Sequence, residues 1–175
     1  MSRQDDVLRL MESLHIATSV QVAKCLKNPT HSGRVQAQRD LNKLADLNLL
    51  ERRDKFYLLP GCKAQGNHAL AVSDAISEIY FRFESPTVYR EKLIEEKSIR
   101  PDLMCHVRKE NQELCFIMEV VREESLEYLR MKRNVWDEWP EACAYLSELF
   151  QAKVKHFDFV TSQEFNLYLE AVCAG

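Results

Sequence analysis

Apolar residues recur at helical spacing almost from the first residue. Val7, Leu8, Leu10, Met11 and Leu14 fall on one stripe and predict an opening helix. Residues 15–19 break that pattern. Thr18 or Ser19 is placed to cap a second helix whose inner side would be Val20, Val22, Ala23 and Leu26. Asn28-Pro29 ends it, because proline disfavours helical backbone in the residue before it. Thr30 or Ser32 then caps a third helix running to about Asn48, with Val35, Ala37, Leu41, Leu44 and Leu47 as its inner face. Leu49 and Leu50 open a strand, Arg53-Asp54-Lys55 turns, and 56–59 returns, which predicts a two-stranded hairpin. Pro60-Gly61 closes the run, and 61–66 reads as a linker.

Beyond the linker the pattern alternates between helix and strand. Leu70, Val72, Ile76, Ile79 and Phe83 predict a helix over 67–83, broken by Ser85-Pro86. Residues 87–92 are ambiguous between strand and loop. Strands are predicted at 103–107 and 114–121, joined by the polar turn RKENQ. Helices follow over 124–136 and 138–150, then a strand over 154–160 and a helix over 164–172. Three helices running directly into a hairpin match the winged helix-turn-helix order. The expected fold class is therefore α+β: a winged helix-turn-helix over 1–62, followed by a small α/β domain over 66–175.

Composition and charge sharpen this division. With 46% apolar and 29% charged residues the chain is too apolar for disorder, and no apolar run reaches membrane-spanning length. The N-terminus, MSRQDDVLRL, lacks the apolar stretch of a signal peptide. Six cysteines lie at least ten residues apart, which excludes a CxxC site and suits reduced thiols in a cytoplasmic protein. Residues 1–65 carry 11 Lys/Arg against 7 Asp/Glu, whereas the remainder carries 13 against 20. A basic first third joined to an acidic remainder suits a polyanion-binding module attached to something else.

In a winged helix-turn-helix the N-terminal half of the third helix meets base edges in the major groove. Off its predicted inner stripe lie Thr30, His31, Ser32, Arg34, Gln38 and Lys43. Arg34 has the fork geometry for guanine, and Gln38 the amide for adenine. The hydroxyls of Thr30 and Ser32 suit a phosphate at the helix start. Arg52, Arg53 and Lys55 lie on the hairpin, where they would meet backbone or minor groove. Arg39 and Asp40 are placed to form a structural pair instead. The expected partner is double-stranded DNA, bound by a homodimer. A module that binds only protein is the competing expectation.

In the second domain two acids stand at the ends of apolar strands, in RPDLMCHV and FIMEVVRE. A hairpin would bring Asp102 and Glu119 to one side of the sheet, where two hard oxygen ligands could hold Mg²⁺. The pattern resembles the PD…ExK signature of the restriction-endonuclease-like fold. The lysine expected two residues after the glutamate is Val121 here, which can neither activate water nor stabilise charge. Lys132, on the following helix, is the candidate substitute. Alternatively, Asp102 caps a helix or pairs with Arg100, and Glu119 pairs with Arg122, Lys132 or Arg133. His106 lies on the strand after Asp102 and either shares its pocket or is an ordinary satisfied histidine. Trp136, Trp139, Tyr128 and Tyr145 are expected in the core or on a partner-binding face.

These segments together resemble the replication-relaxation family of plasmid and mobile-element proteins, which join an N-terminal winged helix to a degenerate nuclease-like domain. The similarity runs through Arg100-Pro101-Asp102, through Glu119-Val120-Val121-Arg122, and through Lys132. The family's aspartate is Val121 here, and the glycine that follows its motif is missing. The resemblance implies a regulator or accessory factor in replication, transfer or transcription of a mobile element. Its second domain would be inactive as a nuclease and serve dimerisation or another protein partner, with no cofactor. The alternative is a metal-dependent endonuclease using Asp102, Glu119 and Lys132 with Mg²⁺.

Overall fold

A computed structural model describes residues 2–62, 66–109, 112–121 and 126–174. Among them the chain is mixed α+β, with seven α-helices and two sheets. It divides into two compact units, Met1–Arg82 and Phe83–Gly175.

The first unit opens with α1 (Arg3–Leu14), fixed by a reciprocal capping box between Ser2 and Asp5. Its stripe Val7, Leu10, Met11 and Leu14 is buried. Residues Ile16–Ala17 form β1, a two-residue strand where the sequence pattern predicted only a break. A second capping box, Thr18 with Gln21, starts α2 (Ser19–Cys25). Thr30 caps α3 (His31–Asp46), accepting the Gly33 N–H at 3.2 Å. The turn between α2 and α3 is tight. A Cβ on Gly33 would lie 2.0 Å from the Asn28 carbonyl oxygen, so only glycine lets the helix pass. Asn48 ends the α3 turn at φ 57°, and the Leu49 N–H donates to the Leu44 carbonyl at 2.9 Å, redirecting the chain.

Strands β2 (Glu51–Arg53) and β3 (Phe56–Leu58) form the predicted hairpin, and β1 pairs with β3 to complete a three-stranded antiparallel sheet, β1-β3-β2. The strand thus begins at Glu51, not at Leu49. Three residues expected inside are exposed instead: Val20, Val35 and Leu47. Helical spacing identified a stripe, but of its predicted members on α3 only Ala37, Leu41 and Leu44 are buried.

Helix α4 (Asn67–Arg82), which the linker-like residues 61–66 assigned to the second domain, belongs to the first unit. It buries Ala69, Val72, Ala75, Ile76 and Ile79. Ser73 Oγ donates to the Leu14 carbonyl at 2.8 Å, Gln21 Nε2 donates to Asp74 at 2.7 Å, and Lys24 pairs with Glu78. These contacts tie α4 to α1 and α2.

The second unit holds a four-stranded sheet of order β4-β5-β6-β7: β4 (Glu84–Arg90), β5 (Leu103–Lys109), β6 (Gln112–Glu119) and β7 (Asp158–Thr161). The first three strands are antiparallel, and β6 and β7 are parallel. Strand β4 runs through Ser85-Pro86, which was expected to break the chain. It is an edge strand, and its register shifts between Glu84 and Thr87, so the missing proline N–H breaks no ladder. Helices α5 (Leu126–Asp137), α6 (Ala142–Phe150) and α7 (Phe165–Ala174) complete the unit. Trp136, Trp139, Leu146 and Phe150 pack with Met104, Cys115 and Ile117 of the sheet, so both tryptophans and the partly buried Tyr145 are core, whereas Tyr128 is exposed. The predicted strand over 154–160 shrinks to β7. The first residues of the helix expected from Glu124 lie outside the described residues. Among the described residues, none of the six cysteines is joined in a disulfide.

Candidate functional site

Among the described residues, each unit brings several of the predicted site residues together. On α3, residues His31, Val35, Gln38 and Asn42 follow each other at intervals of four, three and four, so they share one line along the helix. Arg34, Arg39 and Lys43 flank that line and are exposed. Asp40 points the other way. It is buried and accepts Arg3 Nε at 2.7 Å and Gln36 Nε2 at 3.1 Å, so the expected partner Arg39 is not its counter-ion. Arg39 belongs to the solvent face.

A polar network joins this helix line to the hairpin. Gln38 donates from Nε2 to the Tyr57 hydroxyl and to Asn42 Oδ1 at 3.4 Å. Tyr57 donates to Asn42 Oδ1 at 2.6 Å, and Arg52 Nη1 reaches the same oxygen at 3.3 Å. The Arg52 guanidinium also lies over the Tyr57 ring, 5.9 Å from its centroid. Arg52 and Tyr57 are register partners in β2 and β3, so their side chains share a face of the hairpin. That face is the one turned to α3. Arg53 is one residue on and takes the opposite face, where it pairs with Glu51 at 2.8 Å. Arg52, not Arg53, is therefore the hairpin cation that joins the α3 surface. Lys55, in the turn, lies over the Phe56 ring at 5.3 Å.

The remaining predicted residues are locally engaged. Thr30 donates its hydroxyl to Asn28 Oδ1 at 2.7 Å and lies 3.1 Å from Ser32 Oγ. Arg34 Nε donates back to the Pro29 carbonyl at 3.0 Å, and the side chain is exposed. His31 is exposed in the first turn. Asn42 and Tyr57 were missed from sequence. Their only signal was an asparagine and a tyrosine at positions that the hairpin register later aligns.

In the second unit, Leu103 pairs with Met118, which sets Asp102 beside Glu119 at one end of β5 and β6. Asp102 Oδ2 accepts the Val120 N–H at 2.7 Å. Lys132 comes in from α5 and donates to Glu119 Oε2 at 2.6 Å and to the Arg100 carbonyl at 2.7 Å. Of the three partners expected for Glu119, Lys132 is the one found. Arg133 instead donates to the Phe159 carbonyl at 3.3 Å, and Arg122 lies outside the described residues. Glu119 is 2% exposed and Lys132 4%. Burial, and then the neighbouring Asp102 charge, push the Glu119 carboxyl up to about 8, against the pull of Lys132. Two carboxyls facing one buried ammonium are neutral overall when one carboxyl keeps its proton.

Mg²⁺ would need open oxygen ligands here. Glu119 Oε2 is taken by the Lys132 ammonium and Asp102 Oδ2 by a backbone N–H, whereas Glu119 Oε1 is buried without a hydrogen-bond partner, so a cation here would have at most one oxygen from each carboxyl. Among the described residues, no group of three His, Cys, Asp or Glu is arranged to hold a metal. His106 does not share this site. It sits in the middle of β5, opposite Cys115, with its ring 5.5 Å from Phe150. It borders a cleft of about 680 Å³ with Arg108, Glu113, Lys153 and His156, whose lining includes neither Asp102 nor Glu119. Burial lowers the His106 pKa.

Compared with known proteins, the chain matches no family model, no curated protein and no solved structure. Among the described residues, no helix is long and apolar enough to cross a membrane.

Proposed function

We propose that this chain is a cytoplasmic, sequence-specific double-stranded DNA-binding protein, a regulator or accessory factor in transcription, replication or transfer of a mobile element. Its first unit acts as a winged helix-turn-helix, with α3 in the major groove and the β2–β3 hairpin as the wing. The observation that carries this reading is the Gln38–Tyr57–Asn42–Arg52 network, which holds a wing cation against the exposed face of α3. Arg34, Arg39, Lys43 and Arg52 supply positive charge around that face, and Thr30, His31 and Ser32 supply polar groups at the helix start. Lys55 meets phosphate at the wing tip. Arg53, paired with Glu51, contributes less. The second unit, nuclease-like in its carboxylate pair and parallel β6–β7 edge, serves dimerisation or a protein partner, and a dimer matches two half-sites. Selection of bound sequences from a random duplex pool tests this: enrichment of one motif supports it, and no enrichment overturns it.

A metal-dependent endonuclease is the second reading, favoured by the convergence of Lys132 on Glu119. Incubation of supercoiled plasmid with Mg²⁺ or Mn²⁺ separates the two. The DNA-binding reading expects no nicking above that of an Asp102→Ala, Glu119→Ala double variant.

A further inference from the structure

Val35 sits on the exposed line of α3 between His31 and Gln38, with 37% of its surface open, whereas the packed side of the same helix has Ala37 and Leu41 at 0%. An exposed β-branched residue lowers helix propensity and contributes no core packing. Its neighbours are cations and amides: Arg34 precedes it, and Arg39 lies one turn further along. The amides are polarised by the network. Both N–H bonds of Gln38 are committed to Tyr57 and Asn42, so only its carbonyl oxygen remains to face outward. In this arrangement Gln38 has no spare donor for a bidentate adenine contact, which needs a donor as well as an acceptor. The α3 face therefore offers one apolar contact, at Val35, flanked by an acceptor and by positive charge.

In the major groove, the apolar feature that base edges present is the thymine 5-methyl group. We propose that Val35 is a specificity-determining residue that reads a thymine 5-methyl in the preferred duplex; this rests on the DNA-binding reading above. Val35 has a restricted χ1, so its methyls are presented with little entropic loss on contact. The surrounding cations complement the phosphates on either side of the groove.

The test uses the full chain and the duplex recovered from the random pool. Its thymines are replaced one at a time by deoxyuridine, which lacks the methyl and keeps the same pairing. Binding is followed by fluorescence anisotropy. At one position wild type should bind deoxyuridine about 4-fold more weakly, the factor for one buried methyl-sized group. Val35→Ser should lose that discrimination, and Val35→Ile should retain it. Equal binding to thymine and deoxyuridine at every position overturns the proposal, as does a motif without thymine or a Val35→Ser variant that still discriminates. Failure of wild type to bind any duplex is a different result: it removes the DNA-binding reading and this proposal with it.

Discussion

Replacing Glu119 by glutamine tests the charge balance of the buried cluster in the second unit. Asp102, Glu119 and Lys132 are all buried, and they offer two potential negative charges to one positive charge. The Glu119 carboxyl is therefore raised from its usual 4.5 to about 8, by burial first and by Asp102 second. A carboxyl with a raised folded-state pKa weakens the fold as pH climbs. Below 4.5 it is protonated in both states and makes no difference. Between 4.5 and 8 the unfolded chain ionises while the folded one holds its proton. Stability then declines by about 1.4 kcal/mol per pH unit, or about 3 kcal/mol by pH 7. Glutamine cannot ionise, still accepts from Lys132, and donates an N–H where Glu119 had its proton. Glu119→Gln should therefore gain stability on wild type as pH rises from 4.5 to 8, by about 3 kcal/mol at pH 7. The assay is urea unfolding between pH 4.5 and 8.5, followed by tryptophan emission. Both tryptophans lie in the core of the second unit, their rings 5.4 Å apart, so the signal reports that unit. A difference that does not change with pH, or that shrinks as pH rises, refutes the reasoning.

Two further outcomes follow from the first unit. Gly33→Ala would put a methyl 2.0 Å from the Asn28 carbonyl oxygen and 2.6 Å from Asn28 Cγ. It should cost about 2–3 kcal/mol, visible as a lower midpoint in thermal unfolding by circular dichroism, and an unchanged midpoint would contradict the tight α2–α3 turn. Tyr57→Phe deletes the hydroxyl that joins Gln38 to Asn42. It should cost about 1 kcal/mol in stability and weaken duplex binding without changing its salt dependence; unaltered affinity would show that the network does not organise the binding face.

Much of this architecture was legible in the chain because local chemistry agrees with the fold. Thr18 and Thr30 cap the helices their positions announce, and the β2–β3 hairpin turns at Asp54, a residue that tolerates its φ of 55°. The apolar strand carrying Glu119 and the helix carrying Lys132 were also visible. What escaped depended on partners distant in sequence. Two-residue β1 has no periodicity to detect and exists because β3 offers it a free edge. Val20, Val35 and Leu47 have helical spacing, yet among the described residues they remain exposed. The linker-like residues 61–66 hid the attachment of α4, which is made by Ser73, Asp74 and Glu78 with residues more than fifty positions earlier. Arg52 and Arg53 are equivalent in sequence, and only the strand register assigns them to opposite faces.

The central claim is that the cations of α3 and the Arg52 face of the hairpin act together on a duplex. The most direct measurement is the affinity of the full chain for its selected duplex as salt is raised, for wild type and Arg52→Ala. The expected result is a linear fall of log affinity with log salt, with a slope about 1 shallower in the variant. Affinity indifferent to salt, or a slope unmoved by Arg52→Ala, would contradict it.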